Sequence, residues 1–221
     1  NYDVGKENST VSTYIVIPES TDDISKYVTF KSRTKNEKYK LNDDFILYVG
    51  GYSPRKNIIG ILDAFSLLKN SLKKNLKVVI TGRKGISYEI YRNRAIKLGI
   101  LDSVLFTDFI PLEDLPIFYN ACEFLVYPSF YEGFGLPPLE AMSCGTPVIT
   151  SNLTSIPEVT SDAAILINPN NKDELASSML QLLNSYDSLI EYGEKGYKNS
   201  LNFTWKNTAI STLKAYESIL K

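Results

Sequence analysis

The chain has 221 residues, of which 43% are hydrophobic, 22% are charged and only 22 are glycine or proline, so disordered and collagen-like classes are excluded and one large domain with appendages is expected. Its 24 basic and 25 acidic residues leave a net charge of −1, which gives no overall field to attract nucleic acid. The absence of histidine excludes histidine bases, Ser-His-Asp machinery and histidine metal ligands, and Cys122 and Cys144 alone cannot complete a four-ligand zinc site.

In chain order, Asn1 to Asp44 is polar, with a charge cluster at Thr34 to Lys40 and short apolar islands at Tyr14 to Ile17 and Tyr27 to Phe30. It reads as a lead-in or interdomain segment over 1–44. At Phe45 the texture changes to short β-branched or aromatic runs, each followed by a turn signal and a helical pattern. Six runs are predicted as strands: Phe45 to Val49, Leu76 to Ile80, Val104 to Phe106, Phe124 to Tyr127, Pro147 to Thr150 and Ala164 to Ile167. Ile58, Ile61, Leu62, Phe65, Leu68 and Leu72 form one apolar stripe at spacings of three and four, the mark of a helix. Further helices are predicted over Tyr88 to Leu98, Leu112 to Ala121, Pro138 to Ser143 and Asp173 to Asn184. Beyond Asn184 the pattern is helical only, ending in an amphipathic helix over 204–221 that carries Trp205, Ala209, Leu213, Tyr216 and Leu220.

Alternating strands and helices, with strands that are continuously apolar, predict an α/β fold: a Rossmann-like, doubly wound, parallel six-stranded sheet flanked by helices, with extra C-terminal helices. The domain is expected to occupy 45–221. The longest apolar runs, Phe45 to Val49 and Ala163 to Ile167, have five residues each, so no transmembrane segment is expected. No signal peptide is visible, and a first residue other than methionine suggests a piece of a longer protein. Cys122 and Cys144 are read as buried free thiols.

In such sheets ligands lie beyond the carboxyl ends of the strands, so the loops after them are the candidate site. The first loop, Gly50-Gly51-Tyr52-Ser53-Pro54-Arg55-Lys56-Asn57, puts two cations beside a helix start whose amides are unpaired, which suits a diphosphate. It is neither a GxGxxG fingerprint nor a GxxxxGK[ST] loop, and the bland alternative is a glycine turn with solvated cations. The second, Thr81-Gly82-Arg83-Lys84-Gly85, repeats the cationic pair between glycines and is weaker alone. The third runs from Glu132 through Gly133-Phe134-Gly135-Leu136-Pro137-Pro138 to Glu140. Proline at a helix start is expected to put Glu140 in the first turn and to leave the amides of Phe134, Gly135 and Leu136 free. Carboxylates accept from sugar hydroxyls and free amides bind phosphate or sugar oxygens, so this loop suits a sugar phosphate. A glycosidase acid/base pair is the alternative use, but it needs one carboxyl pKa raised, and a first-turn position acts against that.

The segment from Phe45 to about Trp205 resembles the C-terminal, donor-binding half of retaining family-4 (group 1) glycosyltransferases of the GT-B fold, in their bacterial mannosyltransferase-like branch. The resemblance is carried by Val49-Gly50-Gly51 with Pro54-Arg55-Lys56-Asn57, by Gly82 to Gly85, and by Tyr127-Pro128-Ser129, Glu132 to Pro137, Glu140-Ala141-Met142 and Cys144 to Val148. Glu132 and Glu140 match the family's E-x7-E motif. The resemblance implies that Arg55, Lys56 and Glu132 are catalytic, the cations holding the leaving diphosphate beside Gly50 and Gly51. It implies further that Glu132 and the amides of Gly133, Phe134, Gly135 and Leu136 hold the sugar, that Glu140 holds the ribose, and that the base lies against Phe109 and Ile110. Arg83 and Lys84 are assigned to the cleft. Gly51 departs from relatives with arginine there, and Ile86 from relatives with an aromatic residue.

The resemblance also implies a hexose donor such as GDP-mannose or a UDP-hexose, and a glycan or lipid-linked acceptor bound by an N-terminal domain that nothing in this sequence supplies. No cofactor and no metal are expected, because lysine and arginine replace the cation and the chain has no Asp-x-Asp triplet. Retention needs no protein nucleophile when the departing diphosphate takes the acceptor's proton. The expected setting is bacterial polysaccharide biosynthesis, cytoplasmic or peripheral at the inner membrane in a full-length protein. This half is expected to bind donor and to transfer poorly by itself. The alternatives are a non-catalytic nucleotide-sugar-binding subunit that needs a partner chain, and a GT-B nucleotide-sugar hydrolase or epimerase.

Overall fold

The run Phe45 to Val49 has no polar residue to offer solvent, and it becomes the central strand β1 (Asp44–Val49), buried from Phe45 onward. In the computed structural model, which describes residues 39, 41, 43–69 and 75–219, β1 is followed by a single 3₁₀ turn (Pro54–Lys56) and helix α1 (Ile58–Leu68). Then come β2 (Leu76–Thr81), α2 (Tyr88–Lys97), β3 (Val104–Phe106), α3 (Leu115–Ala121), β4 (Leu125–Tyr127), α4 (Leu136–Ser143) and β5 (Val148–Ser151). The chain continues through α5 (Ile156–Thr160), β6 (Ile165–Ile167), α6 (Lys172–Asn184), α7 (Tyr186–Ser200) and α8 (Trp205–Ile219).

The six strands form one sheet in the order β3-β2-β1-β4-β5-β6, every pair parallel. This is the doubly wound arrangement expected from the sequence. The chain winds outward from β1 to β3, then returns to the centre to place β4 on the other side of β1. Leu47 pairs with Leu125 at that junction, secured by the Leu47 amide on the Phe124 carbonyl at 3.0 Å. The strand order reverses there, so the loops after β1 and β4 diverge and open a crevice. Helices α1, α2 and α6 pack together, and α3, α4 and α7 form the other group. The stripe of α1 is buried at Ile58, Ile61, Leu62, Phe65 and Leu68 as its spacing predicts, while Leu72 lies outside the described residues.

Several boundaries differ from the sequence expectation, each for a local reason. Helix α3 begins at Leu115 and not at Leu112, because Pro116 has no amide hydrogen and fits only the first turn. Helix α4 begins at Leu136, two residues before the expected Pro138, because both prolines are accommodated in its first turn. Helix α5 has five residues, too few to show a period. Ser185 divides the C-terminal helical stretch, its hydroxyl accepting from the Ser188 amide at 3.1 Å to cap α7.

Most of the expected lead-in, 1–44, lies outside the described residues. Its described end packs on the domain: Leu41 is buried in the core, and the Tyr39 ring meets Phe118 edge-on at 4.8 Å. Helix α8 keeps its described side chains in solvent, Trp205 at 91% and Tyr216 at 63% exposure. Among the described residues no helix is long and apolar enough to cross a membrane.

Candidate functional site

The loop after β1 is shaped by its sequence. Pro54 starts the 3₁₀ turn that carries Arg55 and Lys56, and Asn57 closes it in a left-handed conformation (φ 56°). The Asn57 side chain then caps α1 by accepting from the Gly60 amide at 3.1 Å, and donates to the Pro169 carbonyl at 2.7 Å. The turn thus sets both cations at the crevice between β1 and β4.

From the other side comes Glu132, only 8% exposed. One of its oxygens, Oε1, receives Lys56 Nζ at 2.6 Å, Ser129 Oγ at 2.6 Å and the Tyr127 hydroxyl at 3.0 Å, with Arg55 Nη1 in an ion pair at 3.0 Å. Lys56 also donates to the Tyr127 hydroxyl, so the phenol accepts from the ammonium and passes its own proton toward the carboxylate. Burial would raise the Glu132 carboxyl, but the bonds from Lys56, Ser129 and Arg55 outweigh it and hold the group below the ordinary carboxylate range. Tyr127 is driven the opposite way, first by burial and then by the Glu132 charge, so its proton stays in place. Tyr48 stacks beneath it, ring centroids 5.9 Å apart, and burial raises that phenol too.

The loop beyond Glu132 is tied down from β5 and α5. The Glu132 amide donates to Thr154 Oγ1 at 3.2 Å, and Ser155 Oγ donates to the carbonyls of Glu132 at 2.9 Å and Phe134 at 3.2 Å. With its carbonyls engaged, the loop keeps its amides spare. Those of Gly133, Phe134, Gly135 and Leu136 have no acceptor among the described residues. Gly135 opens α4 at φ 106°, where a Cβ would also meet Ile156 Cδ1 at 2.6 Å, so the turn requires glycine. Glu140 needs a correction: it is the fifth residue of α4, in the second turn, and the first turn holds no acid. Its Oε2 accepts from the Tyr119 hydroxyl at 2.7 Å, so its orientation is set by α3 and not by the helix terminus.

The second loop meets the first through their backbones. A Cβ on Gly82 would lie 2.1 Å from the Gly50 carbonyl, so the strand ends approach as closely as they do only because residue 82 is glycine. Gly51 has open space around it. Arg83 and Lys84 are exposed, and Asp108 joins their loop to the next one by accepting from the amides of Lys84 at 3.3 Å and Phe109 at 2.8 Å. These bonds and the nearby Lys84 and Arg83 charges lower the Asp108 pKa. Phe109 is exposed while the Ile110 side chain is buried.

The structure therefore joins Arg55, Lys56 and Glu132 directly, and links Gly50 to the Arg83/Lys84 loop and that loop to Phe109. Sequence reasoning gave no role to Tyr127, Ser129, Ser155 or Asp108, although Tyr127-Pro128-Ser129 was visible as a motif. It also missed Phe203, whose ring meets Phe134 edge-on at 5.9 Å and brings the segment before α8 onto this loop. Neither Cys122, which is buried, nor Cys144, which is half-buried, forms a disulfide, and burial pushes the Cys144 thiol up to about 11. Among the described residues no three acidic or cysteine side chains cluster so as to hold a metal ion.

Comparison with known proteins accounts for this arrangement. The family described as "Glycosyl transferases group 1" matches residues 29–199. The chain belongs to the group 1 glycosyl transferases. It is 39% identical over 184 residues to O-antigen chain mannosyltransferase B of Escherichia coli, covering 82% of this chain and 48% of that protein. It is 34% identical over 197 residues to the serotype-specific mannosyltransferase WbdA of Escherichia coli, covering 88% of this chain and 24% of that protein. The chain thus spans about half of the first relative and a quarter of the second. Among solved structures, sucrose-phosphate synthase from Thermosynechococcus elongatus superposes with a TM-score of 0.71 at 25% identity, over 81% of this chain and 46% of that one. Anabaena Alr3699/HepE, solved in complex with UDP and glucose, gives 0.72 at 20% identity over 84% of this chain and 51% of that one. The fold of this group 1 glycosyl transferase chain is accordingly that of one half of a GT-B enzyme.

Proposed function

We propose that this chain is the donor-binding half of a retaining hexosyltransferase, taking a nucleotide-diphosphate sugar, with GDP-mannose as the first candidate, and serving a glycan or lipid-linked acceptor. The observation that carries the reading is the crevice at the β1/β4 junction, where Arg55 and Lys56 face a loop of spare amides across Glu132. Mannosyl transfer by the two Escherichia coli relatives supports the choice of sugar. The acceptor belongs to a further domain, in line with the share of each relative that this chain spans.

The chemistry follows from charge. As the anomeric carbon–oxygen bond breaks, negative charge builds on the diphosphate, and preorganised cations and amides aimed at it stabilise the transition state. Arg55, whose side chain is half exposed, can swing from Glu132 to the diphosphate, whereas the Lys56 side chain, 11% exposed and held by Glu132 and Tyr127, stays. Glu132 is then left to accept from sugar hydroxyls through Oε2, which carries no hydrogen bond within the described residues. Glu140 is assigned to the ribose, Arg83 and Lys84 to the cleft wall, and the main chain of Phe109 and Ile110 to the base. The departing diphosphate takes the acceptor's proton, so no protein nucleophile is called for, and the cations make a divalent metal unnecessary.

A panel of GDP, UDP and ADP tests this by thermal shift, since a nucleotide at a hundred times its Kd adds about 2.7 kcal/mol to stability. Lys56→Ala is expected to abolish the shift and Glu140→Ala to reduce it. No shift with any nucleotide at millimolar concentration overturns the proposal.

A further inference from the structure

A second concavity lies apart from the crevice, on the face covered by α1 and α6. It is an open concavity of about 430 Å³ between the starts of the two helices, its rim at Asn168 and at 170–173 exposed to solvent. Its lining includes Phe130, Asn168, Asn170, Lys172, Asp63 and Asp173. The wall is rigid, because Asn57 spans it with bonds to Gly60 and Pro169.

The lining selects a class of ligand. Both oxygens of Asp63 are taken by Arg94, at 2.7 and 2.8 Å, so that charge is already matched. Lys172 and Asp173 are neighbours of opposite sign. An anion would meet no net positive charge, and an apolar ligand would strip water from the amides without replacing their hydrogen bonds. Carboxamides both donate and accept, as a sugar hydroxyl does. Asn168 Oδ1 accepts from the Asn170 backbone amide at 3.0 Å and from its side-chain amino group at 3.4 Å, while the Asn168 amino group and Asn170 Oδ1, both exposed, have no partner among the described residues. Phe130, 36% exposed, adds a flat apolar surface of the kind the C–H face of a pyranose covers.

We propose that this cavity is a second ligand site that binds a neutral saccharide, holding a segment of the glycan that is being extended. The saccharide class rests on the cavity's own chemistry; its link to the glycan rests on the transferase reading. The site communicates with the crevice through one short segment: the Phe130 amide and Ser129 Oγ both donate to the Arg55 carbonyl, at 2.8 and 3.1 Å. A saccharide packed on Phe130 therefore bears on the loop that positions Arg55.

Amide NMR spectra of the full chain, titrated with α-linked mannotriose, maltotriose, inorganic phosphate and GDP, test the proposal. Mannotriose is expected to shift Phe130 and residues 168–173, and saturating GDP is expected not to displace it. Phe130→Ala and Asn170→Ala should each weaken binding by about tenfold, the loss of one good contact. Shifts confined to residues 133–136, shifts with phosphate alone, or none with either saccharide at millimolar concentration overturn it. If GDP shifts the first loop and no saccharide binds, the cavity proposal fails and the donor site stands. If mannotriose binds and no nucleotide does, the cavity stands as a saccharide site and the transferase reading fails.

Discussion

Four donors converge on a single oxygen of Glu132, and that convergence decides how the residue behaves with pH. Its folded pKa is held below the ordinary value of 4.5, so its contribution to stability is fully present above that value and is lost as pH falls through the lowered one. Melting temperature followed from neutral pH down past 4.5 should therefore drop less steeply in Glu132→Gln than in the parent chain. Tyr127 links Lys56 to Glu132 while making no claim on the ligand itself. Removing its hydroxyl in Tyr127→Phe keeps the stack on Tyr48 and deletes two hydrogen bonds. The expected cost is about 1–2 kcal/mol in nucleotide binding, read by calorimetry as roughly a five- to thirtyfold rise in Kd.

Elements hold this site through close backbone approach. Helix α7 crosses α4 where a Cβ on Gly193 would lie 2.6 Å from the Gly145 carbonyl. Gly193→Ala should push the helices apart, lower stability by about 1–3 kcal/mol and weaken nucleotide binding, since α4 carries Glu140 and continues directly from the loop of spare amides. Gly82→Ala should act on the other wall, separating the first and second loops by the same clash with the Gly50 carbonyl. Helix α1 shows a different dependence. Phe65 is 1% exposed at the centre of its buried stripe, and Phe65→Ala should cost about 3–5 kcal/mol in denaturant unfolding while leaving the loop geometry alone.

Across the whole molecule, the apolar face of α8 has no partner among the described residues. Replacing Leu213 and Tyr216 with glutamate should change the unfolding free energy by less than about 0.5 kcal/mol, because exposed side chains bury nothing on folding. The same pair of changes should reduce self-association measured by light scattering, since a solvent-facing stripe of this kind promotes contact between copies.

The doubly wound parallel sheet and the layering were legible because continuously apolar runs separated by amphipathic stripes admit few arrangements other than a parallel sheet between helices. The candidate loops were legible as well, since glycine, proline and basic residues directly after strands are local signals. Glu140 was misplaced by a turn, because whether two successive prolines lie inside or before a helix depends on where the preceding glycine turns. The network of Tyr127, Ser129 and Glu132 with Lys56 was invisible for another reason: it joins residues 71 to 76 positions apart, and no sequence period connects them. Residue types and their local order thus determined the elements and the chemistry available to each loop. Which oxygen meets which ammonium was decided only when β4 returned to lie beside β1, because hydrogen bonds depend on distances that chain separation does not encode.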